Sequence, residues 1–261
     1  MEKHKMKRAI CDETSFPGAN EFSIKLAGIP IGVHPFFLST KEFCRHYLTE
    51  EPPLFEVAIT MEKIEKIRTD AIACDLQEGR KPRDYADDYL ETLVLLESVA
   101  DEFLSRNILL FHGSAVAVEG KAYLFTAKSG VGKTTHTRLW LNNIPGAHVL
   151  NGDKPFLLFQ EDGVYACGNP WRGKEGFGRN EILPLAGICL LERDGSNHIE
   201  SISYQEAFPV LSFQSHKPPQ DERMVAYLKL LSRLSSVPLY RLGCTMENEA
   251  AWVSYKGMVE R

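Results

Sequence analysis

Residues 126–137, TAKSGVGKTTHT, constrain the fold more than any other stretch of the chain. The apolar segment YLFTA precedes this stretch and predicts a strand, while TTHTRLWL predicts a helix that follows it. Glycines at positions 130 and 132 allow backbone N–H groups to turn inward without a clash from Cβ. A strand, such a loop and a helix N-terminus are together typical of a phosphate-binding loop. The alternative is an ordinary surface turn that opens a helix.

Each residue type in this loop has a role in binding a nucleotide. Lys133 supplies a positive charge for the β- and γ-phosphates, and the hydroxyl of Thr134 suits Mg²⁺. Thr135 either supports the metal or caps the helix, and His136 is expected on the helix surface. Ala127 stands where the usual pattern has glycine, which its small size makes tolerable. The predicted nucleotide-binding residues here are Ser129, Gly130, Val131, Gly132, Lys133, Thr134 and Thr135.

The segments around the loop predict β-hairpins rather than alternating strands and helices. One hairpin covers residues 115–126 and turns at Gly120-Lys121, and a second joins PFLLFQ to VYACG through Glu161-Asp162-Gly163. Hairpins beside a phosphate loop are incompatible with an all-parallel sheet. We therefore expect an α/β fold with a mixed, partly antiparallel sheet.

The chain divides, on this pattern, into a smaller α+β part at 1–105 and a nucleotide-binding catalytic domain at 106–261. The first part either recognises the substrate or covers one face of the sheet. Its predicted elements are strands at 22–28 and 54–60 and a long helix at 85–106. In the second part, Ser203 and Glu206 predict a capping box, and Pro209 predicts a kink or an early end in the helix that follows. Further elements are predicted at 204–214, 221–235, 237–243 and 247–259.

Composition excludes several classes of function. The formal net charge of -5 gives no electrostatic footprint for nucleic acid. The six cysteines include no C-x-x-C pair, so neither a zinc site nor a redox motif is indicated. The basic N-terminus has no apolar run behind it, and no segment approaches the roughly 18 apolar residues of a membrane helix. We therefore expect a cytoplasmic protein without membrane contact.

Two further stretches carry candidate catalytic residues. Asp153 ends the predicted strand in VLNGDKPFLLF, about twenty residues after the loop, where it suits holding Mg²⁺ or accepting a proton. The segment GNPWRGKEGFGRN places charged residues between glycines, as in loops that close over a transferring phosphoryl group. Glu175 is a candidate second metal ligand. The alternative is a solvated loop pinned by Trp171. The charged residues of this loop are Arg172, Lys174, Glu175 and Arg179.

These motifs, together with His112-Gly113, resemble the HPr kinase / phosphoenolpyruvate-carboxykinase-like P-loop superfamily, and specifically its small HPr-kinase-like members. The resemblance covers roughly residues 108–195. It implies that Asp153 acts as a base or a metal-site carboxylate, and that His112 lies beside the reacting groups. The family usually has a second acid next to the first, where this chain has Lys154. The chain therefore lacks the second carboxylate of such a metal site, and Lys154 is left to contact phosphate or to pair with an acid.

The resemblance implies a kinase that depends on a nucleotide and on Mg²⁺. It would transfer the γ-phosphoryl group of ATP, or of another nucleoside di- or triphosphate, to a hydroxyl, with Ser or Thr of a peptide or small protein as the expected acceptor. The implied catalytic residues are Asp153, His112, Lys133 and Glu175, and the implied metal ligands are Thr134, Asp153 and Glu175. A kinase for an amino acid or sugar, a nucleotide-binding module without turnover and an NTP hydrolase are open alternatives, as is assembly into a homo-oligomer.

Overall fold

The computed structural model describes residues 21–77, 79–128 and 130–260. Its strands are β1 (Phe22–Leu26), β2 (Ile29–His34), β3 (Phe55–Ala58), β4 (Ile108–Leu110), β5 (Ser114–Val118), β6 (Lys121–Thr126), β7 (His148–Asn151), β8 (Phe156–Gln160), β9 (Gly163–Cys167), β10 (Ile182–Arg193), β11 (His198–Ser201) and β12 (Leu239–Cys244). Its α-helices are α1 (Leu38–Phe43), α2 (Met61–Gln77), α3 (Asp87–Leu104), α4 (Lys133–Asn143), α5 (Tyr204–Gln214), α6 (Asp221–Arg233) and α7 (Glu249–Met258).

Both predicted hairpins are present. β5 and β6 pair antiparallel, and the two residues between them, Glu119 and Gly120, both have positive φ (52° and 73°). Two successive positive φ values give the turn that matches the twist of a hairpin. The turn therefore lies one residue before the predicted Gly120-Lys121, and Lys121 begins β6. β8 and β9 also pair antiparallel, with Glu161-Asp162 as the turn and Gly163 already in the strand.

The long strand β10 joins two sets of strands into one curled, mixed sheet. Its first residues, Ile182 to Pro184, pair antiparallel with β9, which continues the order β4-β8-β9. Its later residues pair parallel with β6 on one side and with β12 on the other. The prediction of a mixed, partly antiparallel sheet is confirmed.

Three chain segments end at the same edge of this sheet because β5 runs antiparallel to both β6 and β7. β6 and β7 are therefore parallel to each other, and both end at the edge where β5 begins. The phosphate-loop sequence follows β6, Asp153 follows β7, and His112 precedes β5. The topology thus brings together three segments that lie far apart in the sequence.

The first part of the chain forms a separate three-stranded sheet, β1-β2-β3, with helices packed on it. Its hydrophobic core continues into the second part: the rings of Phe103 and Phe156 are 5.0 Å apart, and those of Phe43 and Trp171 are 5.7 Å apart. The smaller α+β part therefore packs directly on the main sheet. The division at residue 105 stays a prediction.

The prediction that His136 lies on the helix surface is wrong. Its side chain is buried, and its Nε2 lies 3.0 Å from the hydroxyl of Ser254 on α7. The same hydroxyl accepts a hydrogen bond from the indole N–H of Trp140, one helical turn after His136. Helix α7 covers this face of α4, a long-range contact that the local sequence pattern does not show. Burial lowers the pKa of His136 to about 3.

The capping box of Ser203 and Glu206 opens α5 as predicted. The early end that Pro209 allowed does not occur, since α5 continues to Gln214, and the alternative of a kink stays a prediction. Ala207 and Leu211, on either side of the proline, are fully buried in the core, which holds the helix against the loss of one backbone hydrogen bond.

The burial of His136 predicts a pH-dependent stability. The unfolded chain takes up a proton near pH 6.5 and the folded chain only near pH 3, so stability is lost as the pH falls from the first value towards the second. This loss is about 2 kcal/mol between pH 7 and pH 5. His136→Gln, which keeps an N–H for Ser254, should remove that part of the pH dependence in urea unfolding.

His46→Gln is the matched control, because His46 is exposed. The control should unfold with the same pH dependence as the wild type. An unchanged pH dependence in His136→Gln would contradict the buried, neutral histidine.

Candidate functional site

The phosphate-loop sequence adopts the backbone that its glycines allow. β6 ends at Thr126 and α4 begins at Lys133, with Gly132 as the residue before the helix. Gly130 and Gly132 have φ of 79° and 127°, and nothing lies within 4 Å of the place where their Cβ atoms would be. A side chain at either position would adopt a strained backbone and would fill the concave face of the loop. Ser129, also predicted here, lies outside the described residues.

Arg193, at the end of β10, supports this loop from outside. Its guanidinium donates hydrogen bonds to the carbonyl oxygens of Gly130 and Val131. The N–H of Val131 donates to the carbonyl oxygen of Lys128, so both backbone polar groups of Val131 are held within the protein. Sequence reasoning did not find Arg193, which lies far from the loop in sequence.

Lys133 and Thr134 begin α4 and face the same cavity. The ammonium of Lys133 lies 3.2 Å from the carbonyl oxygen of Ala127. Burial lowers the pKa of Lys133, and the charge of Asp153 opposes this shift. Thr134 is exposed at the start of the helix, where the amides and the dipole favour an anion.

Asp153 and His112 form the polar centre of the site. Nε2 of His112 lies 3.4 Å from Oδ1 of Asp153. Burial by itself would raise the pKa of Asp153, but the hydrogen bond from His112 and the nearby charges of Lys154, His112 and Lys133 outweigh burial. The pKa of Asp153 is therefore below its ordinary value, and the group is a carboxylate at neutral pH.

Two buried asparagines that sequence reasoning missed hold the turn that carries Asp153. Oδ1 of Asn151 accepts hydrogen bonds from the backbone N–H groups of Asp153 and Lys154, at 2.9 and 2.8 Å. The amide of Asn151 donates to Oδ1 of Asn169, which also accepts from the N–H of Trp171. Asn169 in turn donates to the carbonyl of Lys154. The sequence signal was the Asn-Gly-Asp turn itself, since asparagine favours such local hydrogen bonds.

The glycine-rich loop at 168–180 packs onto this turn. A Cβ on Gly173 would lie 3.0 Å from Cβ of Asp153, and one on Gly152 would lie 2.8 Å from the carbonyl oxygen of Arg172. The N–H of Gly152 donates to the carbonyl oxygen of Phe177. These close contacts favour the active-site interpretation over a solvated loop.

The charged residues of this loop have different positions. Glu175 pairs with Arg138 of α4 at 2.6 Å, and Arg172 donates to the carbonyl oxygen of Gly178. Lys174 is exposed at the mouth of the cavity. Arg179 pairs with Glu181, away from the cavity, so the structure does not bring it to the predicted site.

One cavity of about 750 Å³ unites most of the predicted residues. Val131, Thr135 and Arg179 are not among its lining residues. A second wall comes from the first part of the chain and was not predicted as part of the site; it consists of Phe43, Tyr89, Thr92 and Leu93, with Trp171 beside them. The predicted residues that line the cavity are His112, Gly130, Gly132, Lys133, Thr134, Asp153, Arg172, Lys174 and Glu175.

The side chains of the site suit a metal ion that is held mainly by the phosphates of a bound nucleotide. In the part of the chain that the structure describes, no group of three or more His, Cys, Asp and Glu side chains could hold a metal ion. Mg²⁺ is commonly held by one or two carboxylates together with substrate phosphates. Asp153 and Thr134 fit that pattern, whereas the carboxylate of Glu175 is already paired with Arg138.

The fold and the site define a mixed α/β protein with a glycine-rich loop between a strand and a helix N-terminus, facing a carboxylate–histidine pair. No family model matches the sequence, and no curated protein matches it. Among solved structures, the HPr(Ser) kinase/phosphatase from Coxiella burnetii matches with a TM-score of 0.35 and 8% sequence identity, over 58% of this chain and 97% of that chain. This likeness is distant, so the function proposed below rests on the geometry of the site.

The described helices include none that is both long enough and apolar enough to cross a membrane.

We expect the Asn151–Asn169 pair to contribute measurably to the free energy of unfolding. Asn169→Ala removes an acceptor for Trp171 and Asn151 and a donor for Lys154, which leaves polar groups without partners in the interior. We expect the free energy of unfolding to fall by about 2–3 kcal/mol. Asn142→Ala, on the exposed face of α4, is the matched control and should change it by less than about 0.5 kcal/mol. Equal effects of the two substitutions in urea unfolding would contradict the role of Asn169.

Proposed function

We propose that this protein is a phosphotransferase that depends on a nucleotide and on Mg²⁺ and transfers the γ-phosphoryl group to a hydroxyl. The observation that carries the proposal is the arrangement of one cavity. The glycine-rich loop, Lys133 and the N-terminus of α4 line it together with the Asp153–His112 pair. An anion-binding helix terminus opposite an ionised carboxylate is the arrangement that phosphoryl transfer to a hydroxyl requires.

In the proposed reaction, the backbone amides of the loop and the ammonium of Lys133 bind the phosphates of the nucleotide. The oxygen of the acceptor hydroxyl forms a bond to the γ-phosphorus, and the bond from that phosphorus to the β–γ bridging oxygen breaks. The hydroxyl proton passes to the carboxylate of Asp153, and the nucleoside diphosphate leaves. His112 orients this carboxylate through its contact at 3.4 Å.

Arg172 and Lys174 add positive charge beside the transferring group. Such charge, when it is fixed in place before the reaction, stabilises a transition state in which negative charge spreads over the phosphoryl oxygens. Mg²⁺, when bound, would neutralise phosphate charge. Thr134 is the side chain that would hold it. Glu175 would join it only by leaving Arg138, and Asp153 would hold the metal only in place of its role as base.

We propose Ser or Thr of a peptide or small protein as the acceptor and the cytoplasm as the location. The wall that Phe43, Tyr89 and Leu93 contribute supports a role for the first part of the chain in recognising the acceptor. ATP is the proposed donor.

The first prediction of this proposal concerns Asp153. Asp153→Asn keeps the size of the side chain but removes the base, so turnover should fall by roughly 10²–10⁴-fold while nucleotide affinity stays within a few-fold. The measurement is transfer of label from γ-labelled ATP with Mg²⁺ into separated peptide and metabolite fractions.

Asp70→Asn, at an exposed position on α2, is the matched control and should keep full turnover. Equal turnover in Asp153→Asn and wild type would remove Asp153 from the mechanism. Label in metabolites alone would indicate a small-molecule kinase, and nucleotide binding without any turnover would indicate a binding module.

The second prediction concerns Lys133. Lys133→Ala removes the ammonium at the loop, and we expect the affinity for MgATP to fall by about tenfold or more, since charge-assisted hydrogen bonds contribute about 1.5–3 kcal/mol. Lys121→Ala, at the exposed start of β6, is the control. Calorimetric titration with a non-hydrolysable ATP analogue measures both. Undiminished affinity in Lys133→Ala would contradict a phosphate-binding loop.

A further inference from the structure

Lys154 lies directly after Asp153 and lines the same cavity, but the proposed reaction leaves it without a role. Its side chain is half-buried. Within residues 21–77, 79–128 and 130–260, no acidic side chain forms an ion pair with it, although its charge helps to lower the pKa of the adjacent Asp153. A partly buried ammonium without an ion-pair partner in a cavity is available to an anionic ligand.

The hydrogen bonds of Asn169 anchor the backbone of Lys154 to the segment that carries Trp171. Asn169 donates to the carbonyl of Lys154 and accepts from the N–H of Trp171. The indole of Trp171 donates to the carbonyl of Thr92 on α3, at 2.9 Å. The backbone of Lys154 is therefore fixed beside the wall formed by Trp171 and α3, whereas the ammonium of Lys133 contacts the carbonyl oxygen of Ala127 in the loop.

The charges of the cavity indicate a second anion in addition to the nucleotide. Glu175 is neutralised by Arg138, so Asp153 is the remaining carboxylate that faces the lining cations. These cations are Lys133, Lys154, Arg172 and Lys174. The phosphates of a nucleotide would bind at the loop together with Mg²⁺, which neutralises part of their negative charge. Part of the positive charge of the cavity is then left without a partner.

We propose that Lys154 binds an anionic group of the acceptor, a carboxylate or a phosphate, while the acceptor hydroxyl faces Asp153. This inference rests on the proposed function and specifies its substrate class: a hydroxyl compound or segment with negative charge close to the hydroxyl. Leu93 and Trp171, on the same wall, contact the carbon skeleton of such an acceptor. The ammonium of Lys154 also screens Asp153 from the acceptor's negative charge.

The test compares two variants and three probes. Lys154→Met keeps the length of the side chain and removes its charge, and Lys121→Met is the control at an exposed strand end. The probes are N-acetylserine, inorganic phosphate and the neutral N-acetylserinamide. Their binding is titrated by NMR on the wild type and on both variants, with and without a saturating non-hydrolysable MgATP analogue.

We expect Lys154→Met to bind the nucleotide analogue within about threefold of wild type and to lose about tenfold or more of its affinity for N-acetylserine or phosphate. N-acetylserinamide should bind more weakly than N-acetylserine to the wild type, and equally to wild type and Lys154→Met. Tighter binding of N-acetylserine would indicate that the acceptor's anionic group is a carboxylate. Tighter binding of inorganic phosphate would indicate that it is a phosphate. Lys154→Arg, which keeps the charge, should retain anion binding and shows that loss in Lys154→Met does not come from misfolding.

Two outcomes would overturn the inference. A loss of nucleotide affinity in Lys154→Met equal to that in Lys133→Ala would show that Lys154 binds the donor. Equal anion binding by wild type and Lys154→Met would show that Lys154 binds neither ligand. A wild type that does not bind the nucleotide would contradict the proposed function itself, and the titrations without nucleotide would still decide whether Lys154 binds an anion.

Discussion

The hydrogen-bonded pair Asn151–Asn169 is the interaction on which the site depends. Both side chains are fully buried, and together they satisfy backbone groups of two segments: the turn at Asp153 and Lys154 after β7, and the start of the loop at Trp171. An amide side chain has donors and an acceptor on one rigid plane, so it can join segments that no backbone ladder connects. The backbone of the turn that carries Asp153 is therefore held from the interior of the protein.

The topology of the sheet also determines where the residues of the site lie. A strand that is antiparallel to both of its neighbours brings their ends to one edge, and β5 has this position between β6 and β7. The phosphate loop and Asp153 consequently meet although 20 residues and a helix separate Lys133 from Asp153. His112 joins them because it precedes β5, and its backbone is fixed at both ends, by Gln214 and by Thr126. The site therefore depends on the order of the strands in the sheet as well as on the residues that line it.

The local features of the fold could be predicted from the sequence, and the long-range ones could not. Turn chemistry at Gly120 and Asp162, the capping box at Ser203 and the glycine-rich loop each involve only a few neighbouring residues. The burial of His136 depends on α7, more than a hundred residues later, and its sequence neighbours carry no signal of that contact. The wall with Leu93 and Trp171 also joins distant segments. Arg179 pairs with Glu181 and is not among the lining residues of the cavity, a position that depends on how the loop packs.

The packing of the glycine-rich loop links the position of Asp153 to the shape of the cavity. Gly173 approaches Asp153 so closely that even one added carbon would force the two apart, and Gly152 approaches Arg172 from the other side. Because the loop and the turn are this close at Gly152 and Gly173, a shift of the loop changes the surroundings of the carboxylate. A ligand that contacts Arg172 or Lys174 therefore acts on the same unit that carries Asp153. Phosphoryl transfer depends mainly on positioning and charge neutralisation, and in the proposed reaction these glycine contacts would fix both the carboxylate and the neighbouring cations.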